Sequence, residues 1–206
     1  GKFEPRVYFG ENVPDYSIIG GVKTDTPVEF DYPDDTSANG QRNYTYTGSG
    51  GVPVGSLFNK LVFALKYQEQ RILLSNLINK DSKILFERNP RERVAKVAPW
   101  LTLDGDPYPA LVDGRVLWII DGYTTSAGYP YSRKTTLSGA TTDALTVNST
   151  SITAQGDQTV NYIRNSVKAT VDAYNGTVTL YQWDEKDPVL KTWSKAFPGV
   201  ITPKSE

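Results

Sequence analysis

Residues 106–132 read "DPYPALVDGRVLWIIDGYTTSAGYPYS", and the fold turns on how this stretch is divided. Asp113-Gly114 is a two-residue hairpin signal, because both residue types tolerate the positive φ that such a turn requires. The run Val116 to Ile120 is apolar without alternation, which predicts a central strand covered on both faces. A loop then follows that carries Asp121, Tyr123, Thr124, Thr125, Ser126, Tyr129, Tyr131, Ser132 and Arg133.

A second hairpin is predicted around Asn175-Gly176 in "VKATVDAYNGTVTLYQW". A two-residue turn there sets Ala173 against Val178 and Val171 against Leu180, with the two-residue period preserved across the turn. Upstream, Ser56 is an N-cap, and Leu57, Phe58, Leu61, Val62, Leu65, Ile72, Leu73 and Leu77 recur at helical spacing. They predict one long helix over 57–78, with an irregularity near Gln70 and an apolar stripe lying on the sheet. "SKILFER" reads as a short strand, and Asn89, Pro90 and Glu92 open a further helix that ends before Pro99. A last short helix starts after Asp187-Pro188 and stops at Pro198-Gly199. Residues 1–50 hold short aromatic runs punctuated by Pro, Gly, Asp and Asn, which predicts irregular β structure.

The expected fold is therefore α+β. A largely antiparallel sheet is built from hairpins at 109–121 and 167–183, with the long helix packed on it and a β-rich irregular N-terminal region alongside. One domain over 1–206 is expected, with a mobile polar excursion near 135–160 where Thr, Ser, Asn and Gly dominate.

Composition narrows the chemistry. Twenty-two Lys and Arg against 23 Asp and Glu leave a net charge of -1, which supplies no long-range field to draw nucleic acid or anionic lipid. With no Cys and no His, disulfides, thiolate metal sites, Cys nucleophiles and a Ser-His-Asp triad are all impossible within the chain. No cofactor is implied. The longest strictly apolar runs, Leu61 to Leu65 and Val116 to Ile120, fall far short of the ~20 residues that cross a bilayer. The sequence opens at "GKFEPRVYFG" without Met and reads as a piece of a longer polypeptide.

Three groups of residues are candidates for function. The loop after the central strand offers Asp121 as a base and Tyr123, Tyr129 and Tyr131 as stacking surfaces, with Thr124, Ser126 and Arg133 beside them. Ordinary turn chemistry accounts for the same residues. Asp104 and Asp106 in "LDGDPYP" match the first fragment of a calcium loop without its remaining ligands, so a Pro-rich turn is the alternative. Glu29, Asp31, Asp34 and Asp35 form a comparable acidic cluster, for which a solvated loop is the alternative.

The stretches "PRVYFGENVPDYSIIGG", "LLSNLINKDSKILFERNPRERVAKVAPWL", "APWLTLDGDPYPALVDGRVLWIIDGYTTSAGYPYS" and "NYIRNSVKATVDAYNGTVTLYQWDEKDPVLKTWSKAFPG" resemble an uncharacterised family of large multi-pass membrane proteins best represented in actinobacteria. The resemblance covers most of the chain. It implies a large domain outside the cytoplasm attached to several transmembrane helices, and it brings no activity, cofactor or catalytic residue with it. The expectation is a non-catalytic extracytoplasmic binding module at the outer face of the cell membrane. Its partner would be an envelope protein, a polymer or a small ligand, together with the rest of the parent membrane protein. The alternative is a cell-envelope hydrolase or transferase that uses Asp or Glu in a cleft.

Overall fold

The computed structural model describes residues 3–20, 27, 29–140 and 156–205. They fall into two compact units, Pro14–Glu87 and the combination of Gly1–Val13 with Arg88–Glu206.

The first unit holds strands β1 (Tyr16–Ile19), β2 (Glu29–Pro33), β3 (Gln41–Tyr44) and β4 (Val52–Pro53), helices α1 (Leu57–Tyr67) and α2 (Gln70–Leu74), and strand β5 (Lys83–Phe86). β5 pairs antiparallel with β1 and β4, and β2 pairs with β3. Ser56 caps α1 by accepting from Asn59 N over 3.1 Å, as its residue type predicts.

The single helix expected over 57–78 is broken. Gln68 adopts the left-handed conformation at φ 52°, which ends α1, and the Glu69 carboxylate caps α2 by accepting from Arg71 N. The break turns Ile72 inward beside Phe63, Val54, Ile78 and Ile84, so this helical pair packs on the core of its own unit. Of the expected stripe only Ile72 is buried, with Leu73 half-buried: Leu57, Phe58, Leu61, Val62, Leu65 and Leu77 are exposed.

The second unit starts with α3 (Pro90–Val97), capped by the Asn89 side chain, and continues with β6 (Thr102–Leu103), β7 (Tyr108–Val112) and β8 (Arg115–Ser126). Next come β9 (Thr135–Thr136), α4 (Leu137–Ala140), β10 (Thr159–Val160), β11 (Tyr162–Asp172), β12 (Val178–Gln182), α5 (Pro188–Ala196) and β13 (Ile201–Thr202). The main sheet runs β13-β12-β11-β8-β6, with β7 also on β8; its pairs are antiparallel except β12 with β13.

The β7–β8 hairpin closes at Asp113 and Gly114, which sit at φ 49° and 77° with Val112 opposite Arg115. β8 is central, as the apolar run predicts. Its cover is two-sided but partial: Ile120 is buried, while Val116 to Ile119, which alternate between the faces, are half-buried. One face of β8 and β11 packs on α3 and α5 through Val94, Leu103, Ile120, Val167, Ala169 and Leu190.

The second hairpin is displaced by two residues from its expected register. Val171 lies opposite Val178 and Ala169 opposite Leu180. The Asp172 carboxylate accepts from Tyr174 N and Asn175 N, which widens the turn, and Ala173 N donates to Val116 O of β8 instead. An even displacement leaves every side chain on its expected face.

Of the polar excursion near 135–160, residues 141–155 lie outside the described residues. Its flanks pair as β9 with β10, Thr136 opposite Thr159 and Thr135 opposite Val160.

Candidate functional site

The predicted loop begins later than its composition suggests. β8 continues to Ser126 because both of its edges find partners: β11 to the end, and β6 opposite Gly122 and Tyr123. Asp121, Tyr123, Thr124, Thr125 and Ser126 are thus strand residues that alternate between two faces.

On the packed face, Thr124 is buried and meets the N-terminus of α5. The fully buried Asp187 caps that helix by accepting from Val189 N at 2.8 Å. The same carboxylate accepts from the hydroxyls of Thr124, Ser166 and Tyr162, each at 2.5 Å. Burial pushes its pKa up. The hydrogen bonds from Ser166, Thr124, Tyr162 and Val189 outweigh that effect and hold it below the ordinary carboxylate value. The Tyr162 hydroxyl is pushed up to about 12, first by desolvation and then by its bond to Asp187.

A β-bulge makes this cluster possible. Between Asn165 and Val167 the register of β11 against β8 shifts, leaving Ser166 without a cross-strand partner on β8. The even-numbered Tyr162 and Ser166 and the odd-numbered Val167 and Ala169 can thereby share the packed face. Arg164 is held there by an ion pair to Asp184 at 2.5 Å.

On the opposite, half-buried face, Asp121 forms an ion pair with Lys168, whose ammonium stands 5.4 Å from the Trp183 ring centroid. The Tyr123 hydroxyl donates to Asp104 Oδ2 at 2.8 Å; burial and that bond raise its pKa. The Thr102 and Thr125 hydroxyls lie 3.3 Å apart. The other Asp104 oxygen accepts from Asp106 N at 2.9 Å, so the Asp104–Asp106 segment is a turn held by its own carboxylate. Asp106 is exposed. Among the described residues, no three carboxylates stand close enough together to hold a metal ion.

The true loop spans 127–134. Asn161 pins it: its Oδ1 accepts from Tyr129 N at 3.0 Å and its Nδ2 donates to Tyr129 O at 2.7 Å. Ser132 Oγ donates to Asn161 O at 2.9 Å. The Tyr129 ring stacks on Tyr162 with centroids 5.0 Å apart. Tyr131 stands between them in sequence at φ 56°, its side chain fully exposed, and Arg133 is exposed beside it.

Chemically, Asp104, Asp121 and Asp187 are each engaged by a donor or a cation within the protein. A pocket of about 240 Å³ in the same unit is lined by Arg91, Thr102, Leu103, Leu137 and Gln158 among others, and by none of those three carboxylates. What the site offers outward is aromatic and cationic: Tyr129, Tyr131 and Arg133.

Sequence reasoning missed Asn161, Tyr162, Ser166 and the network role of Asp187. The apolar pattern gave no signal for the bulge: in "NYIRNSVKATV" Ile163, Val167, Ala169 and Val171 share one parity, so the alternation runs unbroken through it.

A family profile described as "Uncharacterised protein family (UPF0182)" matches residues 2–206. A UPF0182 protein of Kineococcus radiotolerans is 61% identical over 203 residues, covering 98% of this chain and 19% of the relative. One of Frankia casuarinae is 60% identical over 206 residues, covering 100% of the chain and 20% of the relative. One of Streptomyces coelicolor is 54% identical over 208 residues, again 100% of the chain and 20% of the relative. The chain thus spans about a fifth of the length of the curated relatives it matches. No solved structure matches it.

Proposed function

The chain belongs to the uncharacterised family UPF0182, and on that premise we propose that it is a non-catalytic interaction module, carried at the outer face of the cell membrane by a larger multi-pass protein. Its contact point is the loop 127–134, and its partner is an envelope protein, a polymer or a small ligand. The outward placement rests on the resemblance to multi-pass membrane proteins.

One observation carries the reading. Tyr131 is a bulky non-glycine residue at φ 56° whose ring is fully exposed. A left-handed backbone costs such a residue about 1–2 kcal/mol, and here the ring gains no burial in exchange. Strain of this kind concentrates where a side chain serves something other than the fold. Tyr and Arg are the residue types that anchor interfaces, and Tyr129 and Arg133 flank the exposed ring. The stack of Tyr129 on Tyr162 and the clamp by Asn161 hold the loop in place before any partner arrives.

The test is photocrosslinking from benzoylphenylalanine in place of Tyr131, in the full-length protein within its own membrane. The expected result is one dominant adduct, with an envelope protein or polymer. Equal yield from the exposed Lys191 on α5 would sink the proposal. So would turnover of a glycoside or ester by the purified protein that is lost in Asp121→Asn, which would establish the hydrolase alternative.

A further inference from the structure

We infer that the outer face of α1 is the docking surface for another part of the same full-length polypeptide, lying outside the 206 residues of this chain. The inference is independent of the loop 127–134, which belongs to the other unit.

The face is apolar on the wrong side for a surface helix. Leu57, Phe58 and Leu65 are 75%, 73% and 70% exposed, and Leu61 and Val62 are exposed between them. Their spacing of i, i+1, i+4, i+5 and i+8 makes one continuous stripe. The inward side is apolar as well: Phe63 is buried, and Ala64 and Tyr67 pack on the same core. The half-buried Lys60 donates from Nζ to Ile78 O at 2.8 Å, and the exposed Lys66 reaches Glu87 at 3.4 Å. A surface helix ordinarily carries one apolar stripe, and a helix apolar on both sides is ordinarily covered on both. Leaving five large apolar side chains in water forgoes several kcal/mol of hydrophobic stabilisation.

Size selects the occupant. Eleven residues of helix are about 16 Å long and, with side chains, about 10 Å wide. The five exposed side chains of this one helix supply less accessible surface than the ~800 Å² per partner that a stable complex between free proteins buries. A contact this small becomes stable when its partner is covalently attached, because the tether replaces concentration. In the relatives, about four-fifths of the polypeptide lies outside the matched region, and it can supply such a partner. The occupant is an apolar helix or strand of that remainder, laid along Leu57, Leu61 and Leu65 with Phe58 and Val62 gripping its side.

The test places benzoylphenylalanine at Phe58 in the full-length protein and identifies the adduct by mass spectrometry. The expected adduct is to a peptide of the same polypeptide from outside these 206 residues. An adduct to a second copy, to lipid, to another protein or to a residue within the 206 overturns the inference, as does none at all. A second measurement covers a failure of that variant. Since the chain has no Cys, Leu61→Cys and Ala38→Cys can be labelled with maleimide in the full-length protein on a background freed of any other Cys. Leu61→Cys is expected to react at least ten-fold more slowly than the exposed Ala38→Cys, at every protein concentration and with or without detergent. Equal rates, or protection that depends on concentration or on lipid, overturn it.

Discussion

The Tyr162 hydroxyl donates to Asp187 Oδ1 over 2.5 Å, and this bond links the helix cap of α5 to the surface loop. The same Tyr162 ring is the one on which Tyr129 stacks. A buried carboxylate with no outlet to solvent thus sets the position of an exposed aromatic group, with one side chain between them.

Removing that carboxylate should be costly. In Asp187→Ala, α5 loses its cap, worth about 1 kcal/mol, and the buried Thr124 and Ser166 hydroxyls lose their acceptor, for about 1–3 kcal/mol more. The expected loss is about 3 kcal/mol in urea unfolding followed by Trp fluorescence, with Asp187→Asn losing less. A loss under about 1 kcal/mol would show that the network is dispensable. Because the folded pKa of Asp187 is lowered, its contribution is present above the unfolded carboxylate value of about 3.9 and disappears as pH falls through the folded value. The Asn variant should therefore show a flatter acid limb.

At the alkaline end the sign is opposite. The Tyr162 phenol is raised to about 12, so its stabilising effect is complete below the unfolded tyrosine value of about 10 and is lost as pH climbs from there through the folded value. Tyr162→Phe should flatten stability between these limits. In ultraviolet titration it should remove one phenol that ionises late. A titration that differs from the parent near pH 10 instead would refute the assignment.

Tyr131 offers a cleaner separation of fold from function. Tyr131→Gly relieves a left-handed backbone and removes no buried contact, so stability should stay level or rise by up to about 1 kcal/mol. Capture of the partner by the full-length protein should fall at least ten-fold. If both quantities fall together, the ring is structural.

At Gly122 β8 passes close to core side chains. A Cβ there would stand 3.1 Å from Leu101 Cδ1 and 3.3 Å from Val167 Cβ, both core side chains. Gly122→Ala is expected to cost about 1–3 kcal/mol through overpacking. A neutral change in thermal unfolding would mean that the strand can shift.

Much of the local structure was written in local chemistry. Asp113-Gly114 specifies its turn, Ser56, Asn89 and Asp187 each accept from the helix they precede, and the apolar run of β8 marks the middle of a sheet. These signals act over a few residues, so they survive without knowledge of the rest of the fold. The second hairpin shows where such reading ends. Asn175-Gly176 implies a tight turn, and the Asp172 carboxylate overrides it by taking two backbone N–H groups first.

The amino-acid sequence by itself determined the α+β character, the family and the absence of imidazole and thiol chemistry, because composition and short-range pattern suffice for these. Only the tertiary structure decided which side chains meet. Asp187 finds Thr124 across 63 positions of chain, and the bulge at Ser166 sends residues of opposite parity to one face. Helical spacing likewise told where the stripe of α1 lies on the helix but not which way it points. Orientation depends on what else is available to pack against, and in this unit Phe63 and Ile72 occupied the core while Leu57, Phe58 and Leu65 were left outside.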